Sequence, residues 1–155
     1  MNDFPEIQIT RLSPEEEPPL ALLLLADPSE AAISKYLPAA AVFVARHQGE
    51  TIGVYVLSLE HGVAEILNIA VKETCQGKGI GRRLLEDATV KAKELHAEKL
   101  LIGTGNSSLG QLHLYQKSGF EITAIRKNFF LDHYPAPIFE NGIQCKHMIM
   151  LEKQL

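Results

Sequence analysis

Gln76-Gly77-Lys78-Gly79-Ile80-Gly81 is the most informative stretch of the chain, because it joins the β-rich run Val63 to Val71 to a long amphipathic stretch. After it, Ile80, Leu84, Leu85, Ala88, Ala92 and Leu95 recur at helical spacing, with Arg82, Arg83, Glu86, Lys91 and Glu94 between them, so a helix is predicted over 80–96. Glycines let the backbone turn tightly and approach a ligand closely, and a helix start offers uncommitted N–H donors and partial positive charge. A pyrophosphate suits such a place; the glycines alone serve equally well as a tight strand-to-helix turn. Two familiar phosphate patterns are not met. A dinucleotide fingerprint needs Gly or Ala where Arg82 stands, and a P-loop needs Ser or Thr where Gly79 follows Lys78.

Toward the N-terminus, Val42 to Arg46 and Thr51 to Leu59 are β-rich runs around His47-Gln48-Gly49-Glu50, a hairpin signal, and Glu60-His61-Gly62 turns the chain into Val63 to Val71. Ile7 to Leu12 alternates as a strand, and Ser13-Pro14-Glu15-Glu16-Glu17 reads as a helix entry, interrupted at Asp27-Pro28-Ser29-Glu30 before a second short helix from Ala31 to Leu37. On the other side, Leu100-Leu101-Ile102 predicts a short buried strand, Leu109 to Lys117 a helix closed by Gly119, and Phe120 to Leu131 another strand. Lys146 to Glu152 is the last strand, after a Pro- and Gly-marked connection from His133 to Gly142. A meander combined with crossover helices implies an α+β fold with a mixed, mainly antiparallel sheet flanked by helices, one domain spanning 1–155.

Composition narrows the function. Of 155 residues, 46% are hydrophobic and 22% charged, an ordinary globular balance, and the net charge of −4 argues against a general nucleic-acid binder. The apolar run Leu20 to Ala26 is too short to cross a bilayer, so no membrane partner is expected. Cys75 and Cys145 form no CxxC or zinc spacing, which predicts no metal site and a cytoplasmic setting.

Two motifs in order carry a resemblance. Gln76, Gly79 and Gly81 fit Gln/Arg-x-x-Gly-x-Gly/Ala between strand and helix, and Asn106 is followed by Leu114-Tyr115-Gln116-Lys117-Ser118-Gly119-Phe120. From about Val42 to Phe120 the chain resembles the GNAT superfamily of acetyl-coenzyme A-dependent N-acetyltransferases. The resemblance implies direct transfer of an acetyl group from acetyl-CoA to a primary amine of a small molecule or peptide, without an acyl-enzyme. It puts the donor's pyrophosphate on the backbone of Gln76, Gly77, Lys78, Gly79, Ile80 and Gly81, and the pantetheine along Ile69, Ala70 and Val71, with a backbone N–H near Ile69 facing the thioester oxygen. Asn106 is expected to bond the pantetheine or to order the helix entry. Tyr115 matches the family tyrosine that protonates the departing thiolate, and a phenol with a pKa of about 10 holds its proton at neutral pH.

An ammonium must lose a proton before it attacks. Glu65, eleven positions before Gln76, is the candidate base, with water as the alternative. The stretch 129–144 concentrates aromatic and apolar side chains beside acids, so Phe130, Tyr134 and Glu140 are expected to bind the acceptor; a homodimer contact is the other use for such a patch. Phe129-Phe130 loosely resembles the aromatic pair of ribosomal-protein N-terminal acetyltransferases but lacks its hydroxyls. A non-catalytic coenzyme A sensor is the reading from a different class, and Tyr115 favours the enzyme.

Overall fold

The structure, a computed structural model, describes residues 6–155. The two β-rich runs form β2 (Ala41–His47) and β3 (Glu50–Glu60), and β4 (Val63–Val71) follows. Each connection is two residues long, Gln48-Gly49 and His61-Gly62, with all four φ angles positive: 51° and 79°, then 51° and 77°. That is the turn whose twist matches a right-handed strand pair, and glycine in the second place avoids the steric cost of a left-handed residue there. β1 (Gln8–Arg11) adds antiparallel to β2.

The crossover comes next. α3 (Ile80–Glu94) carries the chain from β4 to β5 (Lys99–Gly105), which lies parallel to β4. β9 (Met148–Gln154) pairs antiparallel with β5, and β6 (Glu121–Arg126) with β9, giving the order β1-β2-β3-β4-β5-β9-β6. The β4–β5 pair is the parallel one in an otherwise antiparallel seven-stranded sheet, as the α+β expectation requires.

Helices cover both faces. Leu84, Leu85, Ala88 and Ala92 of α3 and Tyr115 of α4 (Leu109–Lys117) pack with Tyr55, Ile66, Leu100 and Ile102 into one core. Leu22 and Leu23 of α1 (Leu20–Ala26) and Ile33 of α2 (Glu30–Tyr36) close the other face against Val42, Val44, Val54 and Val56. A fully buried leucine is worth about 1.5–3 kcal/mol, so the wholly buried Leu23 and Leu84 are main anchors of α1 and α3.

Some boundaries differ from the sequence reading. Helix does not begin at Ser13: that segment is a turn in which Glu16 Oε1 accepts from the Ser13 N–H and hydroxyl, and α1 starts after Pro18-Pro19. The strand expected over 120–131 stops at Arg126, because Asn128 adopts a left-handed φ of 62° and the chain turns into the short helix α5 (Phe129–His133). The connection from 133 to 142 hides a small hairpin, β7 (Ile138–Glu140) with β8 (Ile143–Cys145). The domain expected over 1–155 also includes residues 1–5, which lie outside the described residues.

Candidate active site

β4 and β5 pair only from Val63–Lys99 to Ile66–Ile102. Beyond that point β5 stays with β9, matching Gly103 to Met150 and Gly105 to Met148, while β4 keeps β3 alone. The two strands therefore part in a V that opens at their carboxyl ends, where parallel sheets hold ligands. Glycines on β5 leave room for the side chains of β8 and β9 packed over it. A Cβ on Gly103 would meet the Met148 and Met150 sulfurs at 2.9 Å, and one on Gly105 would collide with Cys145 Sγ.

β4 changes its own pairing at the same place. Leu57 faces Ile66 and Val56 faces Asn68, so Leu67 is a bulge residue without a β3 partner. A bulge bends the strand and re-aims the side chains beyond it. Asn68 and Ala70 thereby turn to the α1 and α2 side, while Ile69 and Val71 pack on the α3 side. From Leu67 to Val71 the edge of β4 facing β5 has no strand beside it among the described residues.

A cleft of about 820 Å³ fills the V. Gln76, Gly77, Gly79, Ile80, Gly81 and Arg82 form one wall. Gly77 and Gly79 hold φ of 76° and 84°, and Gln76 Nε2 donates to the Val71 carbonyl at 3.0 Å, tying the loop to the end of β4. Ile80, Gly81 and Arg82 begin α3, so their N–H groups have no carbonyl of the helix to bond. Gly81 lies close against Leu114: a Cβ would stand 3.3 Å from Leu114 Cδ2, so the leucine side chain would have to shift slightly to admit one.

Tyr115 lies in the cleft wall, 4% exposed and packed at a tilt against Phe120 with ring centres 6.3 Å apart. Burial pushes its phenol well above the usual range, so it stays protonated, and among the described residues nothing hydrogen-bonds its hydroxyl. Phe130, Tyr134 and Glu140 line another wall, brought there by α5 and β7. Phe130 packs on Tyr134 at 5.5 Å, Tyr134 donates to Asp27 Oδ1 at 2.8 Å, and Glu140 accepts from the Ser108 hydroxyl at 3.0 Å.

Three expected site residues stand apart from this cleft. Lys78 is exposed on the loop but does not line it. Asn106 is a staple: its Oδ1 accepts from the Lys146 and His147 N–H groups at 2.7 and 2.9 Å, and its Nδ2 donates to the Gln144 carbonyl at 3.0 Å. The amide holds the β8–β9 connection and not the entry of α4, whose N-cap Ser108 has no side-chain capping bond. Glu65 sits in the paired half of β4, opposite Ser58 and Leu101, before the strands part. Burial raises its carboxyl above the usual range, with Arg126 pulling the other way. The sequence reading missed the bulge at Leu67 and the parts played by Asp27 and Asn68, since register and side-chain direction are set by pairing and not by composition.

Fold and cleft together are those of an acyltransferase. The model of the acetyltransferase (GNAT) family matches residues 7–120. The chain is 53% identical over 131 residues, 84% of each sequence, to the uncharacterized N-acetyltransferase YvbK of Bacillus subtilis. A GNAT family acetyltransferase of Elizabethkingia anophelis, solved with acetyl-CoA bound, superposes with a TM-score of 0.94 at 52% identity, covering 96% of this chain and 98% of that one. An IAA acetyltransferase of Bacillus cereus does so with a TM-score of 0.92 at 49% identity, covering 96% and 99%. The chain belongs to the acetyltransferase (GNAT) family.

Proposed function

We propose that this protein moves the acetyl group of acetyl-CoA directly to a primary amine of a small molecule or peptide, in the cleft between β4 and β5. The observation that carries the reading is the divergence of the two strands beside the start of α3, which leaves a free strand edge and free helix-terminal donors in one cleft. The solved relative with acetyl-CoA bound, at 52% identity over 96% of this chain, supports the same donor here.

Acetyl-CoA supplies an activated thioester whose carbonyl carbon is attacked by the amine; a C–N bond forms and the C–S bond breaks. The chain's own residues do the rest. The N–H groups at the start of α3 and the glycine loop before it bind the pyrophosphate, where the helix dipole favours negative charge. The unpaired edge at Ile69, Ala70 and Val71 accepts an extended amide-bearing arm as an added strand would. Backbone N–H groups beside the Leu67 bulge are fixed dipoles for the oxygen that gains charge. Tyr115 faces the departing sulfur. A phenol is a weaker acid than a thiol, about 10 against about 8.5, and burial weakens it further. Tyr115 therefore acts as a hydrogen-bond donor whose proton crosses only as charge builds on sulfur.

The amine's proton leaves by Glu65 or by water. The place of Glu65 outside the cleft lining favours water. Phe130, Tyr134 and Glu140 meet the acceptor. A second reading, favoured by the 49% identical relative from Bacillus cereus, gives this chain that protein's acceptor, IAA. Thiol release from acetyl-CoA over a panel of small amines, a peptide and IAA, with mass spectrometry of the acceptor, tests both. An acetylated amine upholds the first reading, and acetylation confined to IAA replaces it with the second. A protein that binds acetyl-CoA and releases thiol with none of them is a sensor.

A further inference from the structure

Two oxygen acceptors on residues that line the cleft lack donors among the described residues. Asp27, at the end of α1, spends Oδ1 on the Ser29 N–H at 3.0 Å and the Tyr134 hydroxyl at 2.8 Å, while Oδ2 receives nothing from the described residues. Asn68, 4% exposed, donates through Nδ2 to the Leu23 carbonyl at 3.0 Å and the Tyr36 hydroxyl at 2.9 Å. A carbonyl can only accept, so the amide orientation is fixed. Asn68 Oδ1 is then the end left over, and it is buried without a hydrogen-bond partner. Leaving a buried acceptor unmet is costly, and on a residue that lines a ligand site a donor brought by the ligand accounts for it.

The surrounding charge agrees. Asp27 and Glu140 are the carboxylates lining the cleft, and among the described residues its one lysine, arginine or histidine is Arg82, on the first turn of α3 and bonded to Glu86 at 3.3 Å. Tyr36 and Tyr134 feel the Asp27 charge and complete the polar group around it. Beside these stand Leu24 and Phe130.

We infer that Asp27 Oδ2 and Asn68 Oδ1 seat the acceptor as an ammonium cation on an apolar or aromatic body. This rests on the amine-acetylation reading and narrows its substrate class: acids and neutral alcohols of the same shape are rejected. Asp27 is a specificity-determining residue that binds the ammonium; deprotonation follows by water.

The test is calorimetric binding of 2-phenylethylamine, 2-phenylethanol and phenylacetate to the coenzyme A-loaded protein, with thiol release from acetyl-CoA followed for the amine. A charge-assisted hydrogen bond predicts an amine at least about tenfold tighter than the other two. Asp27→Asn keeps an oxygen for Ser29 and Tyr134 while removing the charge, and should erase that preference with coenzyme A affinity unchanged; Asp27→Glu should restore part of it. An amine bound no more tightly than the alcohol or the acid by the unaltered protein overturns the seat, whatever the variants do. An amine preference that survives Asp27→Asn does so too. Acetylation of the amine with an unchanged KM in Asp27→Asn removes the seat and leaves the transferase; a preference lost in Asp27→Asn without any acetylation keeps the seat and removes the transferase.

Discussion

Tyr115 is the proposed proton donor, and its burial and lack of a hydroxyl partner among the described residues fit a group waiting for a ligand. Tyr115→Phe should lower kcat by about 10²–10⁴ if proton donation limits the rate. Coenzyme A affinity should hold, because the ring and its packing on Phe120 remain. Steady-state kinetics beside calorimetry separates the two, and an unchanged kcat would remove the tyrosine from the mechanism. Glu65 offers a contrasting test. Its folded-state pKa is raised above the unfolded value by burial, so its contribution favours the fold below the unfolded pKa and is lost as pH rises through the folded one. Glu65→Gln should therefore be more stable than the native protein at neutral pH, with the gain vanishing in acid, while the acid limb of kcat/KM stays where it was. Denaturant melts and rate profiles across pH check both, and loss of the acid limb in the variant would return the base to Glu65. Tyr115 could be read in the sequence because a motif surrounds it. Asp27 and Asn68 could not: one lies at a helix end and the other on a strand, and only the bulge at Leu67 and the packing of α1 bring them into one cleft.

Among the helices and strands, the segment from Val42 to Lys117 was readable because each signal is local. Turn residues with positive φ, a period-3.6 apolar face and a glycine loop before a helix each act within a few residues, and β4 and α4 run as the sequence placed them. The region after Phe120 was not, since Phe129 to His133 has the aromatic content of a strand and becomes helix through contacts from far along the chain. The Phe130 N–H donates to the Lys146 carbonyl at 2.9 Å, and His147 Nδ1 accepts from the Asn128 N–H at 2.9 Å. Asn106 belongs to the same set of links. Asn106→Ala strips the exposed Lys146 N–H and the half-buried His147 N–H of their acceptor, and at about 0.5–1.5 kcal/mol for each hydrogen bond lost the protein should lose roughly 1–3 kcal/mol of stability. Thermal or denaturant melts measure it, and a loss below about 0.5 kcal/mol would mean that the connection holds without its staple. Gly79→Asp acts on another element: it brings a negative charge to the loop before α3, where the space beside the glycine is open although a φ of 84° strains any side chain placed there. It should weaken coenzyme A binding with little cost to packing, which calorimetry on the folded variant reads directly.

Across the entire fold, the sheet is one continuous surface except at the V, so the proposed donor cleft is the place where strand edges inside the sheet lack a partner among the described residues. A ligand that fills it replaces missing pairing. Binding to the folded state alone stabilises by roughly 2.7 kcal/mol at a hundredfold excess over Kd, and at about 2–4 °C per kcal/mol for a chain of this size acetyl-CoA should raise Tm by about 5–10 °C. Whether acetyl passes straight from acetyl-CoA to an amine inside this cleft is open to single-turnover mass spectrometry. The protein is mixed with one equivalent of acetyl-CoA and excess 2-phenylethylamine and quenched over time, with the intact protein and the acceptor weighed together. Direct transfer requires acetylated amine and free coenzyme A to appear at one rate, both slowed in Tyr115→Phe, with the protein's own mass unchanged throughout. An acetylated protein that forms first and then decays into product, or no transfer to any amine while acetyl-CoA stays bound, would contradict it.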